Sequence, residues 1–182
     1  MALPRSIPIL RKGALEILET DTLPGVMAAL ARDLLRELRA LDERVQRYTD
    51  LIEGMAKADP VACRLMQLSG IGPITASALV ADVADARVFR NGRQLSAYLG
   101  LVPRQFSTGG KPRLGTITKR GDRYLRQLLV HGARSVIRHL GDKQDRISCW
   151  LRELIARRGI NKATVALANK QARWAWAVMA SA

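Results

Sequence analysis

Only two cysteines, Cys63 and Cys149, stand in the 182 residues, far apart, without a CxxC spacing or a ligand-like histidine beside them. That excludes a disulfide framework or a Cys/His metal site and predicts two reduced core thiols in a cytoplasmic protein. Long apolar runs are missing too: none approaches the roughly 20 residues of a membrane span, so no membrane partner is expected. Pro4, Arg5 and Pro8 interrupt any secretory signal core near the start. Aromatics are few, at 4%. Trp150, Trp174 and Trp176 are expected in the core, with base-stacking platforms as the alternative. Acids are scarce beyond residue 60, where only Asp82, Asp85, Asp122, Asp142, Asp145 and Glu153 occur, none spaced as a metal site. No metal site and no cofactor are therefore expected in this chain. His131 and His139 lie eight apart on one predicted helix and suit packing or phosphate contacts better than a catalytic dyad.

What is abundant is positive charge. Thirty Lys and Arg stand against sixteen Asp and Glu, a net charge of +14 with a pI near 11.0. A balance that basic points to a polyanion, nucleic acid before membrane. The excess is also localised: residues 87–138 hold 12 basic side chains and the single acid Asp122, whereas residues 1–60 hold 9 basic and 10 acidic. A solvated helix face normally mixes signs, so a one-sign segment favours phosphate contact.

The pattern predicts an all-α, mostly helical fold. Residues 1–22 read as a linker or the remnant of an upstream domain. From about 24 to 57, Met27, Leu30, Leu34, Leu38, Leu41, Val45, Tyr48, Ile52 and Met55 recur at spacings of three and four, a heptad-like seam. Such a helix packs inside one chain or pairs with a second copy as a coiled coil; self-association, hence a homo-oligomer, is the favoured reading for 23–58. The remainder, 59–182, forms a second helical domain. In it Gly70-Ile71-Gly72, followed by Pro73, sits between predicted helices at 61–68 and 73–84. This reads as a helix-hairpin-helix whose exposed N–H groups grip a phosphate; an ordinary helical corner with a Gly C-cap is the alternative. Asn91 caps a short helix to Tyr98, Asp122 caps one reaching about Leu140, and Asn161 is expected to cap the last, 161–180.

Between them, the stretch 101–121 is irregular, basic and Gly-rich. Ser107 and Thr108 precede Gly109 and Gly110, with Arg104, Lys111, Arg113, Lys119 and Arg120 around them. A hydroxyl becomes a nucleophile when neighbours favour its alkoxide, and cations stabilise the charge developing on an attacked phosphate. The plainer alternative is a loop that only clamps the backbone. GGKPRLG lacks the P-loop spacing. Arg123 and Arg126 extend the cationic set onto the following helix.

The residues GIGPITASALVADVADARVFRNGRQLSAYLGLVPRQFSTGGKPRLGTITKRGDRYLRQLLVHGARSV resemble the C-terminal transposase domain of the DEDD-type insertion-sequence transposases. That family includes the bridge-RNA-guided serine recombinases and related site-specific DNA invertases. The stretches LRALDERVQRYTDLI (38–52) and VALANKQARWAWAVM (165–179) are similar to it as well. The resemblance implies a bacterial, nucleoid-associated protein acting on DNA, with a structured guide RNA, and oligomerising partly through the coiled coil. It implies that Ser107, in a Gln-x-Ser-x-Gly-Gly context, attacks a DNA phosphodiester, with Thr108 as the fallback. It also implies an N-terminal RuvC-like domain whose Asp-Glu-Asp-Asp set binds Mg2+. That domain would precede Met1, so the chain is expected to bind DNA or RNA without recombining it alone. Three readings follow: a transposase domain active with a RuvC-like partner, a non-catalytic helix-hairpin-helix binding fragment, or a coiled-coil oligomerisation piece. The charge in 87–138 argues against the third.

Overall fold

Three aspartates and an asparagine start four of the helices. Asp59 accepts from the amides of Val61 (2.7 Å) and Ala62 (2.8 Å). Asn91 accepts from Gln94 N, Asp122 from Leu125 N, and Asp145 from Ile147 N and Ser148 N. Each satisfies N–H groups that a helix leaves unpaired at its start. The computed structural model describes residues 13, 16–18, 24–106, 111 and 113–181, and the chain divides into two units, Met1–Leu51 and Ile52–Ala182.

In the first unit the dominant element is α1 (Gly25–Ala58), a helix of 34 residues that continues past the unit's end and is about 50 Å long. The expected helix at 24–57 is therefore present. Of its seam, Met27, Leu30, Leu34, Leu41, Val45 and Tyr48 are each at least 47% exposed. Charges of both signs occupy its other faces, including the Arg36–Asp33 pair at 3.2 Å.

The second unit is built from α2 (Pro60–Leu65), α3 (Pro73–Asp82), a 3-10 turn (Ala86–Val88), α4 (Gly92–Tyr98), a hairpin of β1 (Pro103–Gln105) and β2 (Leu114–Ile117), α5 (Arg123–Arg138), α6 (Arg146–Arg158) and α7 (Ile160–Ala180). The mostly helical expectation holds. Leu65, Leu79, Leu95, Leu99, Leu101, Leu125, Leu129, Leu151 and Leu167 are fully buried and form its centre, each contributing about 1.5–3 kcal/mol through burial. Against them α7 presents a small-residue stripe, Ala163, Ala168, Ala172 and Ala175, all at 0% exposure. Small side chains let helix backbones approach closely. The Gly92 backbone lies so near Arg173 that an added Cβ would stand 2.8 Å from the Arg173 carbonyl.

Several local expectations are corrected. The first hairpin helix ends at Leu65, not 68, because Leu68 N bonds Leu65 O and Ile71 N bonds Leu68 O in successive tight turns. The second ends at Asp82 rather than 84. The long basic helix stops at Arg138, short of Leu140. Asn161 is not the cap of α7: Gly159, at φ +81°, breaks the chain two residues earlier, and Ile160 already begins the helix. Neither cysteine is a core thiol. Both are half-buried; Cys63 donates to Lys57 O (3.3 Å), and Cys149 donates to Gln144 O and receives Arg152 Nη2, both at 3.5 Å. The three tryptophans are likewise half-buried rather than central, packing at the edge of the core.

Candidate nucleic-acid interface

The cationic hairpin is rooted in the core by what lies just before it. Leu99 and Leu101 are buried, and between them Gly100 turns the chain at φ +70°. Asn169 of α7 donates to Ser96 Oγ (2.6 Å) and Leu101 O (3.2 Å), fixing this bend from below. On the return side Gly121, at φ +96°, passes so close to α4 that an added Cβ would overlap the Tyr98 carbonyl at 1.7 Å. Only glycine serves there, for conformation and for space.

Above this root, β1 and β2 pair antiparallel, Pro103 with Ile117 and Gln105 with Leu114, with an irregularity between the two pairs. Phe106 N bonds Arg113 O (2.8 Å) and Thr118 N bonds Val102 O (2.8 Å). A two-stranded hairpin of this length buries little, so its outer face is free to carry charge. Arg104, Lys111, Arg113, Lys119, Arg120 and Arg123 are all exposed. Arg104 reaches Thr118 O at 3.4 Å. Among the described residues Lys111, Lys119, Arg120 and Arg123 have no ion-pair partner, and Asp122, the one acid nearby, is committed to capping α5. Lys119 is the one non-glycine with positive φ among the described residues, at +56°, a left-handed conformation that costs about 1–3 kcal/mol. Its amide bonds Gly100 O (3.1 Å), which holds it at the turn out of β2. Ser107, Thr108, Gly109, Gly110 and Pro112 lie outside the described residues.

Arg126 has a different role from its neighbours. Its Nη1 donates to the carbonyls of Leu99 (3.1 Å), Asp122 (3.2 Å) and Gly121 (3.4 Å). It is half-buried and clamps the hairpin root to α5. Spacing alone places it on the cationic face; these contacts instead join α4 to α5.

The Gly70-Ile71-Gly72 turn is docked on α5 as well. Gly70 adopts φ +84°, and its carbonyl lies where a Cβ on Gly132 would stand, 1.9 Å away. Gln171 Nε2 donates to Ser69 O (2.7 Å), and Ile71 is buried. Gly72, by contrast, is exposed and starts α3 without any side-chain cap, Pro73 following at the first helical position. Gly72, Ile74 and Thr75 at this helix start line a cavity of about 570 Å³ together with Leu128, His131, Gly132 and Ser135 of α5. Gly132 stands nine residues into α5, so the turn and the hairpin root are about 14 Å apart along that helix. His131 and Ser135 were not singled out together from sequence; their four-residue spacing is the signal that places them on one face with the turn.

Among the described residues no three His, Cys, Asp or Glu side chains gather as a metal-ligand set, and no helix is long and apolar enough to cross a membrane. Both features, the docked Gly-Ile-Gly turn and the rooted basic hairpin, fall within one matched segment. Residues 62–148 match the Transposase IS116/IS110/IS902 family. The chain is 52% identical over 161 residues to a probable family 20 transposase of Pseudomonas aeruginosa, covering 88% of this chain and 48% of that protein. It is 47% identical over 146 residues to the transposase for insertion sequence element IS1111A of Coxiella burnetii, covering 80% and 40%. Its match to the transposase for insertion sequence element IS1328 of Yersinia enterocolitica is 36% over 178 residues, covering 98% and 53%. Its homologues are thus insertion-sequence transposases, and the chain spans about half or less of the length of the curated relatives it matches.

Proposed function

We propose that this chain is the DNA-engaging part of an insertion-sequence transposase, with Ser107 as the attacking group. The observation that carries the reading is the set of exposed cations, Lys111, Lys119, Arg120 and Arg123, that flank the serine loop without ion-pair partners among the described residues. The family match over 62–148 supports the transposase part. In the step proposed, the Ser107 oxygen bonds to phosphorus and gives up its proton. The bond from phosphorus to one deoxyribose oxygen breaks, and that oxygen takes up a proton, leaving a phosphoserine ester. Arg104, Arg113 and the four cations above hold the strand and offset the charge that develops on the phosphate. Thr108, the adjoining hydroxyl, is the second candidate. The uncapped start of α3 at Gly72 adds a backbone grip on a neighbouring phosphate.

The partners proposed are DNA, a structured guide RNA, a Mg2+-binding RuvC-like domain that completes the reaction, and a second copy paired along the exposed α1 seam. A salt titration of DNA binding by the full chain tests the first of these. Affinity should fall steeply with salt, and Lys119→Ala and Arg120→Ala should each lower the slope of log K against log salt by about 1. Binding insensitive to salt and to both substitutions would end the proposal. Trapping of a covalent protein–DNA adduct, with the RuvC-like domain and Mg2+ added, should succeed with the natural sequence and fail with Ser107→Ala. A binding fragment without chemistry would give the salt dependence and no adduct with either.

A further inference from the structure

We infer that the cleft where α4, α6 and α7 meet is a second binding site, one that takes an unpaired nucleotide of a single-stranded nucleic acid. The cleft is separate in sequence from the serine loop and from the Gly-Ile-Gly turn. Its volume is about 550 Å³, within the roughly 300–1,000 Å³ of small-ligand sites. Most of it belongs to one face of α7, because residues 166, 169, 170, 173, 174 and 177 recur at three- and four-residue spacing. α4 adds Arg93, and α6 adds Trp150.

The chemistry of that wall is unusual for a merely structural groove. Arg93, Lys170 and Arg173 converge on it, and none of its described lining residues is acidic. No hydrogen bond or ion pair to a described residue engages any of these three cations. Three like charges around one concavity repel each other until an anion arrives, and a low-dielectric wall focuses their field on it. Lys170 is already held in place: its Nζ lies 4.5 Å from the ring centre of Trp150 and 5.5 Å from that of Trp174.

The indoles supply the second half of the recognition. Trp176 is anchored, its Nε1 donating to Ala86 O and Phe89 O, both at 3.0 Å. Trp150 and Trp174 are half-buried, and their Nε1 groups have no partner among the described residues. Flat aromatic surface beside cations is how single-stranded nucleic acid is held without regard to sequence, and a base exposes its faces only when unpaired and unstacked. Asn169 contributes an acceptor: its amide nitrogen is committed to Ser96 and Leu101, which turns its Oδ1 away from those partners. The phosphate thus meets Arg93, Lys170 and Arg173 while the base lies against the indoles.

The inference rests on the nucleic-acid reading above but not on the serine chemistry. All three tryptophans of the chain line this cleft, so fluorescence excited at the red edge, where tyrosine does not absorb, reports on it. The full chain is titrated separately with short oligouridylate, oligothymidylate, a blunt DNA duplex and polyglutamate, while duplex binding is followed independently by gel shift. Saturable quenching by either single strand supports the site, and the stronger of the two tells whether RNA or DNA is its source. Trp150→Leu and Lys170→Glu should each weaken that binding by about tenfold or more. Arg93→Ala, an exposed change on the rim, should weaken it several-fold and serves as the check if the other two fail to fold by circular dichroism. Lys119→Ala with Arg120→Ala should leave the quenching unchanged while weakening the gel shift. Duplex binding without quenching by either strand would sink this site and leave the proposed function standing. Quenching by polyglutamate as strong as by the oligonucleotides would reduce the cleft to a general anion sink and overturn the nucleotide assignment. A chain that binds none of the nucleic acids would end both proposals.

Discussion

The two longest helices carry the same kind of pattern to opposite ends. α1 and α7 both repeat apolar residues every three or four positions. In α7 the repeat is Ala163, Leu167, Ala168, Ala172, Ala175 and Met179, and every one is buried. In α1 it is Met27, Leu30, Leu34, Leu38, Leu41, Val45, Tyr48, Ile52 and Met55, of which Leu38 and Ile52 are half-buried and the others exposed. Periodicity says that a face is apolar, and side-chain size says what kind of neighbour suits it. An alanine stripe invites backbone approach from helices of the same fold, as the near contact of Gly92 with Arg173 illustrates. A narrow seam of Leu, Met and Val suits the knobs of a second long helix.

Truncating large residues on the two helices should separate these cases most sharply. Leu167→Ala and its neighbour in the core, Leu129→Ala, are each expected to cost about 2–5 kcal/mol in denaturant unfolding. Leu34→Ala should leave the unfolding midpoint of dilute protein nearly unchanged and instead weaken self-association in sedimentation runs across concentration. Equal destabilisation by Leu34→Ala and Leu167→Ala would erase the distinction.

Glycines sharpen the same contrast at smaller scale. Gly132→Ala forces a Cβ to within 1.9 Å of the Gly70 carbonyl, and unfolding should show a loss of about 1–3 kcal/mol or more as α5 and the turn separate. Asp122→Ala removes the cap of α5 and should lower stability by about 1 kcal/mol. Gly54→Ala in α1, where an added Cβ meets nothing within 4 Å, should raise stability by about 0.5–1 kcal/mol, the opposite sign.

The smallest effect belongs to pH. The Ser148 hydroxyl, then its amide, hold the Asp145 carboxyl below the ordinary aspartate range. A carboxyl lowered on folding stabilises above its unfolded pKa, and that contribution is lost as pH falls through the lower folded value. An acid titration of unfolding should therefore show a slightly shallower acid limb for Asp145→Asn than for the natural sequence. An unchanged limb would mean the hydrogen bonds do not bias the proton.

Much of this was legible because local rules were obeyed. Asn91 and Asp122 have the sequence signature of caps and are caps, since a short polar side chain before an apolar run has one good partner, the helix start. The α1 helix was legible from its seam. Asn161 misled because it has the right chemistry in the wrong place: a left-handed glycine two residues earlier had already ended α6 and released α7. Arg126 misled for a different reason. Spacing puts it on a helix face with other arginines, but the Leu99 carbonyl, brought near only by the fold, joins the local Gly121 and Asp122 carbonyls in drawing its guanidinium inward. The cleft of Arg93, Trp150 and Lys170 could not be read at all, because its walls bring α4 against α6 and α7, which follow it more than fifty residues later in sequence.

Composition and order by themselves determined that this chain is helical, strongly basic between residues 87 and 138, and organised around a Gly-Ile-Gly turn and a hydroxyl-bearing basic stretch. Those properties depend on local propensity, periodicity and charge, which act over a few residues. Tertiary packing decided which cations remain without partners among the described residues, which arginine becomes a clamp, and which tryptophans face an open cleft. Each of those outcomes depends on what a distant segment places within a few ångströms, and contacts at that range exist only once the core has closed.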